Sequence, residues 1–147
     1  MKRIIVFTLI LTMCLTFLSS CNPIEDAKNA DALLKDFVKS LGDKDFEKAA
    51  SCIHPDANVT EADLEDMVNK FESDFNLVLS SDVEYTELTQ LYTNFSATAI
   101  PKSKTTTYTI GYKVLIGDRI FDLDSIVVDD LTGKGIMSFE LTLGIGF

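Results

Sequence analysis

From Ala27 the apolar residues fall at Ala27, Ala30, Leu34, Phe37 and Leu41, spacings of three and four that trace one face of a helix. Gly42 is expected to stop that helix, and Asp43 to cap a shorter one whose apolar face is Phe46, Ala49, Ala50 and Ile53. His54-Pro55 closes it, because a residue before proline avoids helical backbone angles. Thr60-Glu61-Ala62-Asp63 is a variant capping box, with Asp in place of the usual Glu or Gln. It opens a third helix that buries Leu64, Met67, Val68, Phe71, Phe75 and Val78.

After Ser80-Ser81-Asp82 the pattern changes to strands. Residues 83 to about 100 are rich in Thr, Tyr and Phe, but their alternation is imperfect, which predicts a bulge or break. Pro101-Lys102-Ser103-Lys104 is expected to be a polar turn. Strands are expected over 105–116, 120–129 and 136–143, joined by a tight Gly117-Asp118 hairpin turn and a looser turn containing Gly133 and Gly135. Sorted by a period of two, Tyr108, Ile110, Tyr112, Val114 and Ile116 face the helices. So do Phe121, Leu123, Ser125 and Val127, and then Met137, Phe139, Leu141 and Leu143, while Lys113, Asp122, Asp124 and Glu140 face away. Helices first and a meander afterwards predict an α+β domain, with three N-terminal helices on a curved antiparallel sheet of about four strands.

The chain begins differently. Met1-Lys2-Arg3 is followed by Ile4 to Leu18 without a charge, and then by Ser19-Ser20-Cys21. A basic start, an apolar stretch and a small-residue exit make a secretory signal peptide over residues 1–20. The apolar stretch falls short of the roughly 20 residues a membrane span needs. Leu18-Ser19-Ser20-Cys21 resembles the lipobox of bacterial lipoproteins, which implies a diacylglyceryl group on the Cys21 thiol and often a third chain on its amine. Cys14 is preceded by the bulky Met13 and lies inside the apolar stretch, so it is a poor alternative. The competing reading is ordinary secretion with cleavage near Ser20 and an unmodified Cys21. Residues 21–26 then form the lipidated end and a short tether, and residues 27–147 one α+β domain in the cell envelope, held at a membrane.

Loss of Lys2 and Arg3 with the signal lowers the basic count from 13 to 11 against 23 acids, a net charge of −12. Such a domain is repelled by nucleic acid and by anionic headgroups, and nucleic acid is excluded as a partner. Of three cysteines, Cys14 leaves with the signal and Cys21 carries lipid, so Cys52 has no intrachain partner and stability must come from packing. Its apolar setting, Ala49-Ala50-Ser51-Cys52-Ile53, suits a structural thiol rather than a nucleophile.

The run Phe37-Val38-Lys39-Ser40-Leu41-Gly42-Asp43, followed by Asp45-Phe46-Glu47-Lys48-Ala49-Ala50, resembles the opening of the nuclear-transport-factor-2-like (cystatin-like) superfamily. Gly133-Lys134-Gly135-Ile136 before the last strand fits the same pattern, although members often carry a tryptophan there and this chain has none. The resemblance spans most of residues 27–143 and implies a curved sheet and helices around a cone-shaped cavity. Members of that superfamily include isomerases and cyclases as well as binding or accessory modules without assigned activity.

An isomerase in such a cavity needs a carboxylate base, and the inward positions of the last three strands offer none. They offer the hydroxyls of Tyr108, Tyr112 and Ser125, candidate lining for a small apolar ligand. Alternatively Phe71, Phe75 and Phe139 fill the space and the tyrosines are core. His54 reads as a solvated or capping loop histidine, and one His with one free Cys fits zinc poorly. Asp122, Asp124, Asp129 and Asp130 lack the spacing of a calcium loop and read as a solvated acidic edge. No catalytic set, cofactor or metal is therefore expected. The first reading is a lipid-anchored envelope module binding a small ligand or an envelope protein. The alternatives are a small isomerase- or cyclase-like enzyme and a structural protein that dimerises through the outer sheet face.

Overall fold

The computed structural model describes residues 23–99 and 102–144. The expected signal peptide and Cys21 lie outside the described residues. Helix α1 is Pro23–Gly42, α2 Phe46–Ser51 and α3 Glu61–Phe75, with a single 3-10 turn at Pro55–Ala57 between the last two. Strands β1 (Glu84–Ala99), β2 (Lys102–Ile116), β3 (Arg119–Asp129) and β4 (Lys134–Leu143) follow, forming an open antiparallel sheet in the order β1-β2-β3-β4. The domain is α+β, with its helices preceding its sheet, and α1 packs against β2, β3 and β4.

Four residues expected in the tether, Pro23–Asp26, form the first turn of α1 instead. Proline at a first helical position has no amide hydrogen to leave unpaired, and Glu25 and Asp26 complement the positive end of the helix dipole. Ala27, Ala30, Leu34, Phe37, Val38 and Leu41 are buried, the face anticipated from their spacing. Gly42 ends the helix where the chain after α3 crosses it. A Cβ there would lie 2.4 Å from the Ser80 carbonyl oxygen, so only glycine lets the two backbones meet. The second helix is capped by Asp45, whose carboxylate accepts from the Lys48 amide at 3.1 Å, and not by Asp43. The reversal occupies two more residues than expected, with Lys44 at φ 59°.

The capping box at Thr60 and Asp63 forms as anticipated: Asp63 Oδ2 accepts from the Thr60 amide at 2.8 Å, and Thr60 Oγ1 from the Asp63 amide at 3.3 Å. Leu64 and Val68 are buried, and Met67, Phe71 and Phe75 partly so. Val78 is 73 % exposed, contrary to the helical extrapolation. Asn76 takes left-handed angles and ends α3, so the periodicity stops there, and Leu77 and Leu79 pack inward instead.

The strand faces on β2 and β3 are those expected, and the Gly117-Asp118 turn joins Ile116 to Arg119 with Gly117 at φ 63°. Two features differ. Lys102–Lys104 belong to β2, paired with Ala97–Ala99, in a hairpin end that projects beyond β3. On β4 a register shift opposite Ile126 and Val127 pairs Ser138 with Ile126 and Ile136 with Val127. Met137 is thereby turned outward and Ile136 buried, reversing the expected assignment at that end. The irregularity expected in β1 is present as two shifts, between Tyr85 and Glu87 and between Leu88 and Gln90.

Candidate functional site

An apolar cavity of about 270 Å³ lies between α1, α3 and the sheet. Val38 and Leu41 of α1, Val68 and Phe71 of α3, and Val114 and Leu123 of the sheet wall it. The exposed residues Lys70, Asp74 and Glu140 stand at its mouth. Phe71, Phe75 and Phe139, the side chains expected to fill such a space, line it and leave it open. They are held aside by each other and by neighbours: Phe71 and Phe75 both pack on Phe121, and Phe139 meets Phe37 edge-on at 5.1 Å.

Tyr108, Tyr112 and Ser125, the three hydroxyl residues singled out from the strands, do not line this cavity. Tyr108 is buried, with the Lys134 ammonium 5.5 Å from its ring centre. Ser125 is buried, and among the described residues its Oγ has no hydrogen-bond partner, a polar group at a core position. Tyr112 belongs to a second cluster. Its hydroxyl donates to Asp31 Oδ1 at 2.6 Å, and Lys35 Nζ donates to Asp31 Oδ2 at 2.8 Å while lying 5.0 Å from the Tyr112 ring. Burial, and then the neighbouring Asp31 carboxylate, push the Tyr112 hydroxyl above its ordinary pKa, and burial does the same to Tyr85 beside it. Burial works against the Lys35 ammonium, yet Asp31 and Tyr112 outweigh it and raise its pKa. Asp31 comes from a helix, so sorting the strand faces missed it. Its i, i+4 spacing to Lys35 was the available signal.

His54 is buried and not solvated, while the capping role is as expected: its Nδ1 accepts from the Asp56 amide at 3.2 Å. That bond assigns the proton of the neutral ring to Nε2, which faces Asp130 Oδ1 at 3.3 Å and Thr132 Oγ1 at 3.3 Å. An Nε2 that carries the proton cannot take one from Thr132, so this trio is not a nucleophile and base. Thr132 donates its hydroxyl to Asp130 at 2.7 Å. The ring is locked in place because Ile53 and Ile136 form a parallel bridge, with the His54 amide donating to Ile136 O at 3.0 Å. Gly135 permits this approach: a Cβ there would lie 2.4 Å from His54 N. Asp130, one of the four carboxylates read as a solvated edge, is thus engaged, and with His54 and Asp56 it forms a group whose ligand atoms lie within 4.8 Å of one another. Cys52 is a buried free thiol, its Sγ directed at Lys48 O, and burial raises its pKa as a structural role requires.

Solvent-accessible carboxyls held below their usual pKa predict a small loss of stability in acid. The Thr132 hydroxyl holds the Asp130 carboxyl below its usual pKa, the Thr60 hydroxyl does so for Asp63, and the Lys44 ammonium for Glu72. A carboxyl depressed in the folded state adds stability above its unfolded pKa of about 4, and loses it as pH falls through the folded value. The melting temperature should therefore be level from pH 7 to about 5 and decline only slightly below about 4, because these carboxyls are screened by solvent. Asp130→Asn should flatten that fall, and an unchanged slope in this variant would contradict the assignment.

A comparison with protein-family models, with curated proteins and with solved structures finds no match for this chain.

Proposed function

We propose that this chain is a lipid-anchored binding module of the cell envelope, held through Cys21, whose apolar cavity takes a small apolar ligand. The observation that carries the binding reading is the open 270 Å³ space walled by aliphatic and aromatic side chains, with charged residues confined to its mouth. A pocket of that composition favours a ligand with a hydrocarbon or aromatic body. Its size, at the lower end for small-molecule sites, suits a compact one. The nuclear-transport-factor-2-like resemblance implies a curved sheet and helices around a cone-shaped cavity, and that cone belongs to this proposal. No helix among the described residues is long and apolar enough to cross a membrane.

The enzyme reading is less well supported. Asp31, which accepts from both Tyr112 and Lys35, is not among the residues that line the apolar cavity. Small aromatic and aliphatic compounds should raise the melting temperature of the domain. Val68→Trp, which places a bulky ring in the cavity, should abolish that shift while the protein stays folded. If no compound stabilises the protein, or if Val68→Trp keeps the full response, the cavity is not the binding site.

A further inference from the structure

We propose that the end of the domain formed by the start of α1 and the β1–β2 hairpin is a membrane-contacting face, resting on the bilayer that holds the Cys21 lipid. This rests on the anchoring reading above. Ile24, Ala27 and Lys28 of α1 share a groove of about 390 Å³ with Leu88, Leu91 and Thr93 of β1, so the beginning of the helix and the middle of the edge strand lie together. From there the hairpin continues outward. The last pair between β2 and β3 is Thr106 with Asp129, and Thr106 lies opposite Phe95, so Ser96–Ala99 and 102–105 extend as two strands only.

This end is apolar where water would be expected. Ile24 is 68 % exposed, Leu88 50 %, Leu91 46 % and Phe95 61 %. Single exposed apolar residues are ordinary, but three of these share one face of one strand, paired with Tyr112, Ile110 and Thr106, and the fourth adjoins them. Charges of both signs accompany them: Asp31 lines the same groove, and Glu25 and Asp26 lie in the first turn of α1. Lys28 is exposed on the groove, and Lys104 Nζ sits 5.6 Å from the Phe95 ring centre. An aromatic or aliphatic body with a lysine stem beside it suits the boundary between acyl chains and headgroups, where apolar burial and not net charge supplies the attraction.

The position of the anchor selects the occupant. Pro23 is already helical, and two residue steps separate it from Cys21. At the reach of an extended chain, the lipid-bearing residue lies within about 7 Å of the helix start. The bilayer is thus brought to the side where Ile24 meets Leu88 and Leu91. A second copy adding a strand to the open β1 edge would cover the same residues, and it is the outcome that the experiment below separates from the bilayer.

The chain contains no tryptophan, so a single introduced one reports alone. Full-length protein carrying Leu91→Trp, Phe95→Trp or Ile126→Trp would be reconstituted into phosphatidylcholine–phosphatidylglycerol vesicles, with and without bromine on the acyl chains. All three sites are exposed, and Ile126, between the inward Ser125 and Val127, faces the opposite side. Brominated lipid should quench the emission at 91 and 95 about twofold, as for side chains seated 5–10 Å into the boundary, and leave 126 unchanged. Equal emission in both lipids at 91 and 95 overturns the proposal. A blue shift at these positions without bromine quenching also overturns it and points to a second copy. Mass spectrometry of the same samples reports the anchor independently. If Cys21 carries no lipid the anchoring reading fails, and quenching at 91 and 95 still decides whether this face meets the bilayer.

Discussion

Truncating Phe37 to Ala should cost about 3–5 kcal/mol, against a typical domain stability of about 5–15 kcal/mol. The side chain is 1 % exposed on the inward face of α1, and it meets Phe139 of β4 edge-on at 5.1 Å. Its removal leaves a void between layers that are held by other side chains and cannot close over it, which adds a cavity cost to the lost burial. Phe71→Ala should cost less, because that ring is partly exposed and already borders open space. Phe95→Ala, on the projecting hairpin and 61 % exposed, should change stability by no more than about 0.5 kcal/mol. Urea denaturation measures all three, with unchanged m-values showing that stability alone has moved. A loss below about 1 kcal/mol for Phe37→Ala would mean that the layers are not packed as described.

Replacing Cys21 with Ser should abolish incorporation of labelled fatty acid and move the protein out of the lipid-modified membrane pool, leaving unprocessed precursor or a soluble form. The size of the effect follows from the energetics of acyl chains. Each buried CH2 contributes about 0.8 kcal/mol, and two or more chains separate stable anchoring from the marginal binding of one. A serine hydroxyl offers no thiol for the diacylglyceryl group, so the loss should be complete. Cys52→Ser is the matched control, since that thiol is buried and free, and it should retain full labelling. Labelling that persists in Cys21→Ser would refute the anchor, and with it the basis for placing the domain beside a membrane.

Features that depend on near neighbours in the chain were legible before any coordinates. The inward face of α1 follows from 3.6-residue periodicity, the Thr60–Asp63 box from a three-residue spacing, and the Gly117-Asp118 hairpin from a glycine that accepts positive φ. The segregated α+β order and the inward faces of β2 and β3 were legible for the same reason. The apolar lining was visible as residue types, but whether those side chains meet in the middle or stand apart depends on how far α3 lies from the sheet. The hydroxyl residues chosen from the strands were placed elsewhere by the packing.

Neighbouring residues encode local features: which stretches coil, which extend, where each begins, and which side of each is apolar. Tertiary structure decided whatever joins distant residues. Tyr112 and Asp31 are 81 positions apart, and no periodicity on either element names the other. His54 reads as a loop histidine until Ile136 bridges to Ile53 and buries it, and Gly135 reads as a turn residue until His54 backbone fills the place of its missing Cβ. One extra residue in β4 exchanged the roles of Ile136 and Met137, because parity along a strand survives only until the first bulge. A side chain's environment is set by whichever backbone arrives beside it. That arrival is governed by the packing of whole layers, which a local pattern does not encode.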